Sequence, residues 1–386
     1  MSYKLGTRGS PLSLAQTNWV LDELKKTNSS LKFDIEKITT KGDTDTRPLF
    51  EMEQKGIFEK EIDRAVSEKR VDFAVHSMKD VPSTLDSSLT IACVPKRESA
   101  NDVLITNEGF SLDSIPSGST VGSSSLRRAV QISRKRPDLN VKPIRGNIET
   151  RINKVIEKKI DGIVLAKAGI SRLGVDTKHS ILSKDEFLPS PGQGALAIIC
   201  RNDDSKTIEM LKKIEDKNSR IEIEAERSLS EHIDSGCRFP VGAYASVKSD
   251  SLILKVGVYS MDGKKSILIE ESGTVDNPFE LGKKIGNELK SQGVSEIASN
   301  WREKLEEWNL YDRLVSKKII SMIPKRTKSI YVGRAVGDDT KHQDGTNDLM
   351  VKYAKLNKKV VRLKGGDPII FGRGGEEAEF LKSFKV

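Results

Sequence analysis

Residues 119–173 read STVGSSSLRRAVQISRKRPDLNVKPIRGNIETRINKVIEKKIDGIVLAKAGISRL and repeat one pattern three times: a short apolar strand, a turn, a helix. Thr120-Val121-Gly122 runs into Ser123-Ser124-Ser125 and a helix that stops near Pro137. Val141 to Ile144 leads through Arg145-Gly146-Asn147 to a helix with Ile148, Ile152, Val155 and Ile156 on one face. Ile160 to Leu165 leads through Ala168-Gly169 to a third, short helix. Strands alternating with helices predict an α/β fold with a parallel sheet covered on both faces.

Toward the N-terminus, Ser10 caps and Pro11 opens a helix in which Leu12, Ala15, Trp19 and Leu24 recur at roughly helical spacing. Phe33 and Ile35 alternate with charged residues as in a strand, and Phe58, Ile62, Ala65 and Val66 mark another helix. Val71 to Val75 reads as a buried strand, followed by His76 to Pro82 as a loop. Beyond Pro189 the texture changes. Pro191-Gly192-Gln193-Gly194 is a turn, Ala195 to Cys200 a strand, and Ile221, Ala225, Leu229 and Ile233 mark a helix reaching Asp234. Strands then run to Val275, and two helices close this α+β region, one with Phe279, Ile285 and Leu289, the other with Ile297, Trp301, Leu305 and Trp308.

The 386 residues are 31% charged and 36% hydrophobic, as in an ordinary globular protein. No run of about eighteen apolar residues exists to span a membrane, and Met1 to Gly6 has no apolar signal core, so a cytoplasmic location is expected. Cys93, Cys200 and Cys237 are widely spaced, and the four histidines form no ligand pair, which argues against a disulfide framework or a metal site. The net charge is +9, but residues 310–386 hold 17 Lys+Arg against 9 Asp+Glu, leaving 48 against 47 before them. Attraction for an anion must therefore come from local clusters.

One cluster stands out. Arg127, Arg128, Arg145 and Arg151 sit at strand ends or in the first turns of the helices that follow, where backbone N–H groups and the helix dipole also favour anions. In a parallel sheet these ends share one edge, so the four could converge on a polyanion, whereas Arg134, Lys135 and Arg136 suit a solvated helix face. Lys55-Gly56 and Arg8-Gly9-Ser10 each precede a helix and offer the same chemistry. Asp80 lies just past a buried strand, where α/β sheets place ligands. It could stabilise a cation or move a proton, or simply cap the turn before Val81-Pro82. Cys93 and Cys200 fall within apolar strands. Cys237 sits in a polar loop beside Arg238, which suits a nucleophile or an attachment point as well as a structural thiol.

Together these segments resemble the hydroxymethylbilane synthase (porphobilinogen deaminase) family over residues 1–308. The resemblance is carried by T-R-G-S-P (Thr7 to Pro11), K-G-I-F (Lys55 to Phe58), H-S-M-K-D-V-P (His76 to Pro82) and G-S-S-S-L-R-R (Gly122 to Arg128). R-G-N-I-E-T-R (Arg145 to Arg151), R-L-G (Arg172 to Gly174), G-Q-G-A (Gly192 to Ala195) and G-C-R-F-P-V-G (Gly236 to Gly242) continue it. The resemblance implies two α/β domains like those of periplasmic binding proteins, residues 1–95 with 190–216 and residues 96–189, and a smaller α+β domain, 217–309. It implies a dipyrromethane cofactor linked to the Cys237 sulfur, and deamination and head-to-tail joining of porphobilinogen into hydroxymethylbilane by a monomer engaging neither nucleic acid nor membrane. Asp80 matches the catalytic aspartate, which tends the electron-poor cation left when substrate loses ammonia. Arg8, Ser10, Lys55, Ser77, Lys79, Ser125, Arg127, Arg128, Arg145, Arg151 and Arg172 match positions that hold pyrrole carboxylates. Glu53-Gln54 departs from the family, which is glycine-rich there.

Residues 310–386 differ. Tyr311 to Ser316 and L-K-G-G-D-P-I-I-F-G-R-G-G-E-E (Leu363 to Glu377) resemble uroporphyrinogen-III C-methyltransferase, whose cofactor is S-adenosylmethionine. The opening strand expected just before Leu310 is missing from this reading, and the match stops at Val386. The segment is therefore expected to be an incomplete α/β methyltransferase fragment without methyl transfer of its own. The rival readings are a bifunctional enzyme, a non-enzymatic anion-binding protein of periplasmic type, and nucleic-acid binding through the basic tail.

Overall fold

The computed structural model describes residues 2–40, 59–233, 240–294, 296–297, 307–311, 327–332, 341–355, 359–363 and 374–384. It divides into two units, Met1–Ala298 and Ser299–Val386.

The first unit opens with β1 (Ser2–Thr7), α1 (Pro11–Thr27), β2 (Lys32–Lys37), α2 (Lys60–Ser67), β3 (Phe73–Ser77) and β4 (Leu89–Cys93). It continues through β5 (Asp102–Thr106), β6 (Thr120–Gly122), α3 (Leu126–Lys135), β7 (Asn140–Lys142), α4 (Ile148–Ile156), β8 (Gly162–Ala166), α5 (Lys167–Leu173) and β9 (His179–Ile181). It ends with β10 (Leu196–Arg201), α6 (Ser205–Lys212), α7 (Lys217–His232), β11 (Val241–Lys248), β12 (Ser251–Tyr259), β13 (Ser266–Thr274) and α8 (Pro278–Ser291).

Three sheets result: β2-β1-β3-β10-β4, β7-β6-β8-β5-β9 and the antiparallel meander β11-β12-β13. Both five-stranded sheets are buried on both faces. Along β10, Leu196, Ile198 and Cys200 enter one core while Ala197 and Ile199 enter another, the period of two a doubly covered strand requires. In β5, Val103 and Ile105 pack on one side and Leu104 on the other.

The sheets are mixed rather than parallel, a correction to the sequence expectation. β6 runs parallel to β7 and β8 as expected, but β5 is antiparallel to β8 and β9, and β10 is antiparallel to β3 and β4. β5 and β10 are the strands by which the chain crosses from one sheet to the other. Neither arrives through a strand–helix–strand turn, so nothing imposes a parallel crossover. His76 to Pro82 is also not all loop: His76 and Ser77 finish β3, and Met78–Asp80 form a single 3-10 turn.

In the second unit, β14 (Glu307–Tyr311) lies between β15 (Lys328–Tyr331) and β16 (Lys359–Leu363), parallel to both, with α9 (Lys341–Lys355) and α10 (Gly374–Ser383). This overturns the helix expected to run through Trp308. Ladders on both sides satisfy the backbone of Glu307–Tyr311, and tertiary pairing overrides the helical spacing of Trp301, Leu305 and Trp308. The strand that the sequence reading found missing is therefore present.

Candidate active site

The carboxyl ends of the parallel strands bring the expected residues together. β1 ends at Thr7 and hands the chain to Arg8 and to Ser10, whose hydroxyl caps α1 by accepting from the Ser13 N–H at 3.3 Å. β3, parallel to β1, ends at Ser77 and delivers Lys79 and Asp80 on the 3-10 turn. In the second sheet β6, β7 and β8 deliver the serines before α3, Arg145, and α5 with Arg172 in its last turn. Ser125 caps α3 by accepting from the Arg128 N–H, and Asn147 caps α4 by accepting from the Thr150 N–H at 2.8 Å.

Arg8, Ser10, Ser77, Lys79, Arg128, Arg145, Arg151 and Arg172 all line one cavity of about 780 Å³. Ser125, Arg127 and half-buried Asp80 are not among its lining residues, although Lys79 beside Asp80 is. Lys55 and Cys237 lie outside the described residues.

Arg151 and Arg172 are the telling pair. Arg151 Nε donates to the Gly146 carbonyl at 2.6 Å and Arg172 donates to the Gly194 carbonyl at 2.7 Å; neither meets a carboxylate among the described residues. Burial, with Arg128 and Arg145 close by, pushes Arg151 down to about 10. Burial also brings Arg172 down to about 10 against the pull of Glu98. Burial lowers the Lys79 ammonium too, Asp80 opposing and Arg128 reinforcing it. Arg151 and Arg172 remain cations at neutral pH, in a cleft whose electrostatics improve when an anion enters.

Arg127 and Arg128 are held differently. Asp102, fully buried at the start of β5, accepts from Arg127 at 2.8 Å and from Arg128 Nε and a terminal guanidinium nitrogen at 2.9 and 2.7 Å. Burial acts to raise the Asp102 carboxyl, and the two guanidiniums overcome it, holding it at about 2. Arg127 also donates to the Leu188 carbonyl, so its fork is occupied within the fold.

Sequence reasoning missed Asp102, Gln193 and Gln16. Gln193 Nε2 donates to Asp102 at 2.9 Å and to the Ala100 carbonyl at 2.7 Å, tying the G-Q-G-A turn to the crossing strand. Gln16 Nε2 donates to the Ser77 hydroxyl at 2.9 Å inside the cavity. Gly192 and Gly194 have φ of +75° and +89°. A Cβ at Gly192 would come within 2.8 Å of Met78 Cγ, and one at Gly194 would overlap the Glu98 carbonyl oxygen. The turn therefore packs backbone to backbone, as only glycine permits. Cys93 and Cys200 are buried in the core, where burial raises both thiols, Cys200 to about 12.

Residues 3–209 match the family model "Porphobilinogen deaminase, dipyromethane cofactor binding domain", and residues 220–291 match "Porphobilinogen deaminase, C-terminal domain". The chain belongs to the porphobilinogen deaminase family. A probable porphobilinogen deaminase of Nitrosopumilus maritimus is 63% identical over 309 residues, 80% of this chain and 99% of that protein. The porphobilinogen deaminase of Shouchella clausii is 44% identical over 306 residues, 78% of this chain and 98% of its own. Residues 307–386 match "Tetrapyrrole (Corrin/Porphyrin) Methylases". Among solved structures, the second substrate binding domain of Lactococcus lactis GlnP is similar at a TM-score of only 0.36 and 13% identity, over 55% of this chain and 87% of that domain. The enzyme is thus a transferase of tetrapyrrole synthesis with porphobilinogen as its substrate. Among the described residues no helix is long and apolar enough to cross a membrane.

Proposed function

We propose that the cavity holds a covalently attached dipyrromethane and the growing pyrrole chain, with Cys237 as the attachment point and Asp80 as the catalytic carboxylate. The observation that carries this reading is the pair of half-buried guanidiniums, Arg151 and Arg172, whose hydrogen bonds among the described residues go to backbone carbonyls. Each pyrrole ring carries two carboxylates, and such a polyanion fits a cavity of about 780 Å³ rimmed by cations. Arg8, Arg145, Arg151 and Arg172 would grip those carboxylates, with Ser10, Ser77, Ser125, Lys55 and Lys79 supplying further donors. Arg128, and through it Arg127, would set the shape of the cleft from their anchor on Asp102. When bound, the dipyrromethane supplies the pyrrole carbon to which substrate is joined. The Asp80 carboxylate would offset the positive charge left on the substrate ring as ammonia departs, and its oxygens would receive the proton released when the ring is substituted.

We further infer a division into residues 1–95 with 190–216, 96–189 and 217–309. It is supported by each sheet of the first unit drawing its strands from one of those ranges. We also infer a cytoplasmic monomer that engages neither nucleic acid nor membrane; for the last point, the near-neutral charge of the first 309 residues gives a polyanion no overall pull.

The test is intact mass of the purified chain together with absorbance of porphyrin formed from porphobilinogen. A two-pyrrole adduct that is absent in Cys237→Ala, with loss of turnover in that variant and in Asp80→Asn, is expected. An adduct retained by Cys237→Ala refutes the attachment point. A second reading, a bifunctional chain that also methylates uroporphyrinogen III with S-adenosylmethionine, is favoured by the match over residues 307–386 and by the strand Glu307–Tyr311. Methyl transfer by the full chain decides it.

A further inference from the structure

We propose that Glu59 is a positioning residue for this reaction, a buried carboxyl that keeps its proton so that a single negative charge, on Asp80, faces the reacting ring. The inference rests on the reading of Asp80 as the catalytic carboxylate.

Glu59 stands at the N-terminal end of α2 and is 2% exposed. Its side chain makes no capping hydrogen bond, and among the described residues its Oε2 has no hydrogen-bond partner. The titratable groups described around it come from three elements. Asp63 lies one turn along α2. Asp80 comes from the 3-10 turn after β3, and Arg8 from the end of β1. His76 Nε2 is 3.0 Å from Asp63 Oδ1, within ion-pair distance but not aligned as a hydrogen bond. The buried imidazole thus faces Asp63.

An enclosed carboxylate with one oxygen left unpartnered is disfavoured against its neutral form. Burial first, then the neighbouring charges of Asp80 and Asp63, push Glu59 up to about 9, against the hydrogen bond to its own backbone N–H and the pull of Arg8. Asp80, by contrast, is half-buried and follows Lys79 in the chain, so solvent and a basic side chain are at hand there while Glu59 is enclosed. Two acids with one proton between them are a recurrent way of dividing labour in an active site. In this chain the neutral member is supplied from α2. As pH rises through about 9, Glu59 ionises and places a second negative charge beside Asp80, which disturbs its grip on the substrate cation.

The test uses the full-chain holoenzyme. Infrared spectra across a pH titration should show a protonated-carboxyl band at neutral pH that fades through about 9. The band should be missing from Glu59→Gln and from the apolar variant Glu59→Leu, either of which suffices for the assignment. The alkaline limb of turnover in Glu59→Gln or Glu59→Leu should move upward by about half a pH unit or more. Absence of the band, its persistence in the variants, or an unchanged alkaline limb overturns the inference. Asp80→Asn separates the two readings. If that variant keeps its turnover, the reading of Asp80 fails. If it is inactive while the Glu59 variants keep the original limb, the role of Glu59 alone is refuted.

Discussion

Replacing Asp102 by asparagine removes the carboxylate on which two buried guanidiniums depend. Asp102 is fully buried, and Arg127 and Arg128 are 4% and 7% exposed, so water cannot take over their solvation. Leaving the cations of a buried pair without their partner costs about 3–5 kcal/mol. A second route to the magnitude is the proton itself. The carboxyl is held at about 2 against an ordinary 3.8, a contribution of about 2 kcal/mol at neutral pH. Because the folded value lies below the unfolded one, that stability is complete above about pH 5 and is lost as pH falls through 4 toward 2. Amide hydrogen exchange at Asp102–Thr106 and Leu126–Lys135 should therefore be faster in Asp102→Asn by about a hundredfold to several thousandfold at pH 7. In urea, the gap in stability between parent and variant should narrow by about 1 kcal/mol between pH 5 and pH 3. Equal protection in the two proteins at pH 7, or a gap that does not shrink on acidification, would refute the argument that this carboxylate is ionised and holds the second sheet's arginines.

Arg151→Gln should lower turnover or raise KM by about ten- to a hundredfold through loss of a charge-assisted hydrogen bond, while its thermal midpoint stays level or rises. Burial and neighbouring cations disfavour the Arg151 charge, so removing it relieves the fold; a fall in midpoint together with unchanged kinetics would contradict this. Gly194→Ala forces a side chain into a position with φ of +89° and against the Glu98 carbonyl. It should destabilise by about 1–3 kcal/mol, read as a lower thermal midpoint, and the same substitution at exposed Gly9, where a Cβ meets nothing within 4 Å, serves as the control.

What the sequence disclosed was local. Ser10 with Pro11 caps α1 as read, and the strand–turn–helix repeat of residues 119–173 is real because Ser125 and Asn147 cap the first two helices and left-handed Gly174 ends the third. Direction was hidden. Whether β5 and β10 run with or against their neighbours depends on where the chain crosses between sheets, which no window of residues encodes. Asp102 was invisible for a related reason. It reads as an ordinary strand-start aspartate until Arg127 and Arg128 fold back onto it. The same fold explains why Arg127, grouped by sequence with Arg128, Arg145 and Arg151, is absent from the cavity wall: its Nη1 donates to Asp102 and to the Leu188 carbonyl. Glu59 carried no signal, since a glutamate opening a helix is normally solvated. Trp308 shows the opposite failure, a helical spacing defeated by strands on both sides.

The placement of β10 bears on how the protein is made. The second sheet uses strands from Asp102 to Ile181 and so has every strand it needs once that stretch has emerged from the ribosome. The first sheet begins at Ser2 yet lacks a member between β3 and β4 until Leu196–Arg201 appears. Its apolar edges at Phe73–Ser77 and Leu89–Cys93 must wait through the synthesis of about a hundred residues, against the usual order in which the N-terminal part folds first. That interval is when this chain is most open to pairing with the wrong strand, and when a chaperone has most to shield.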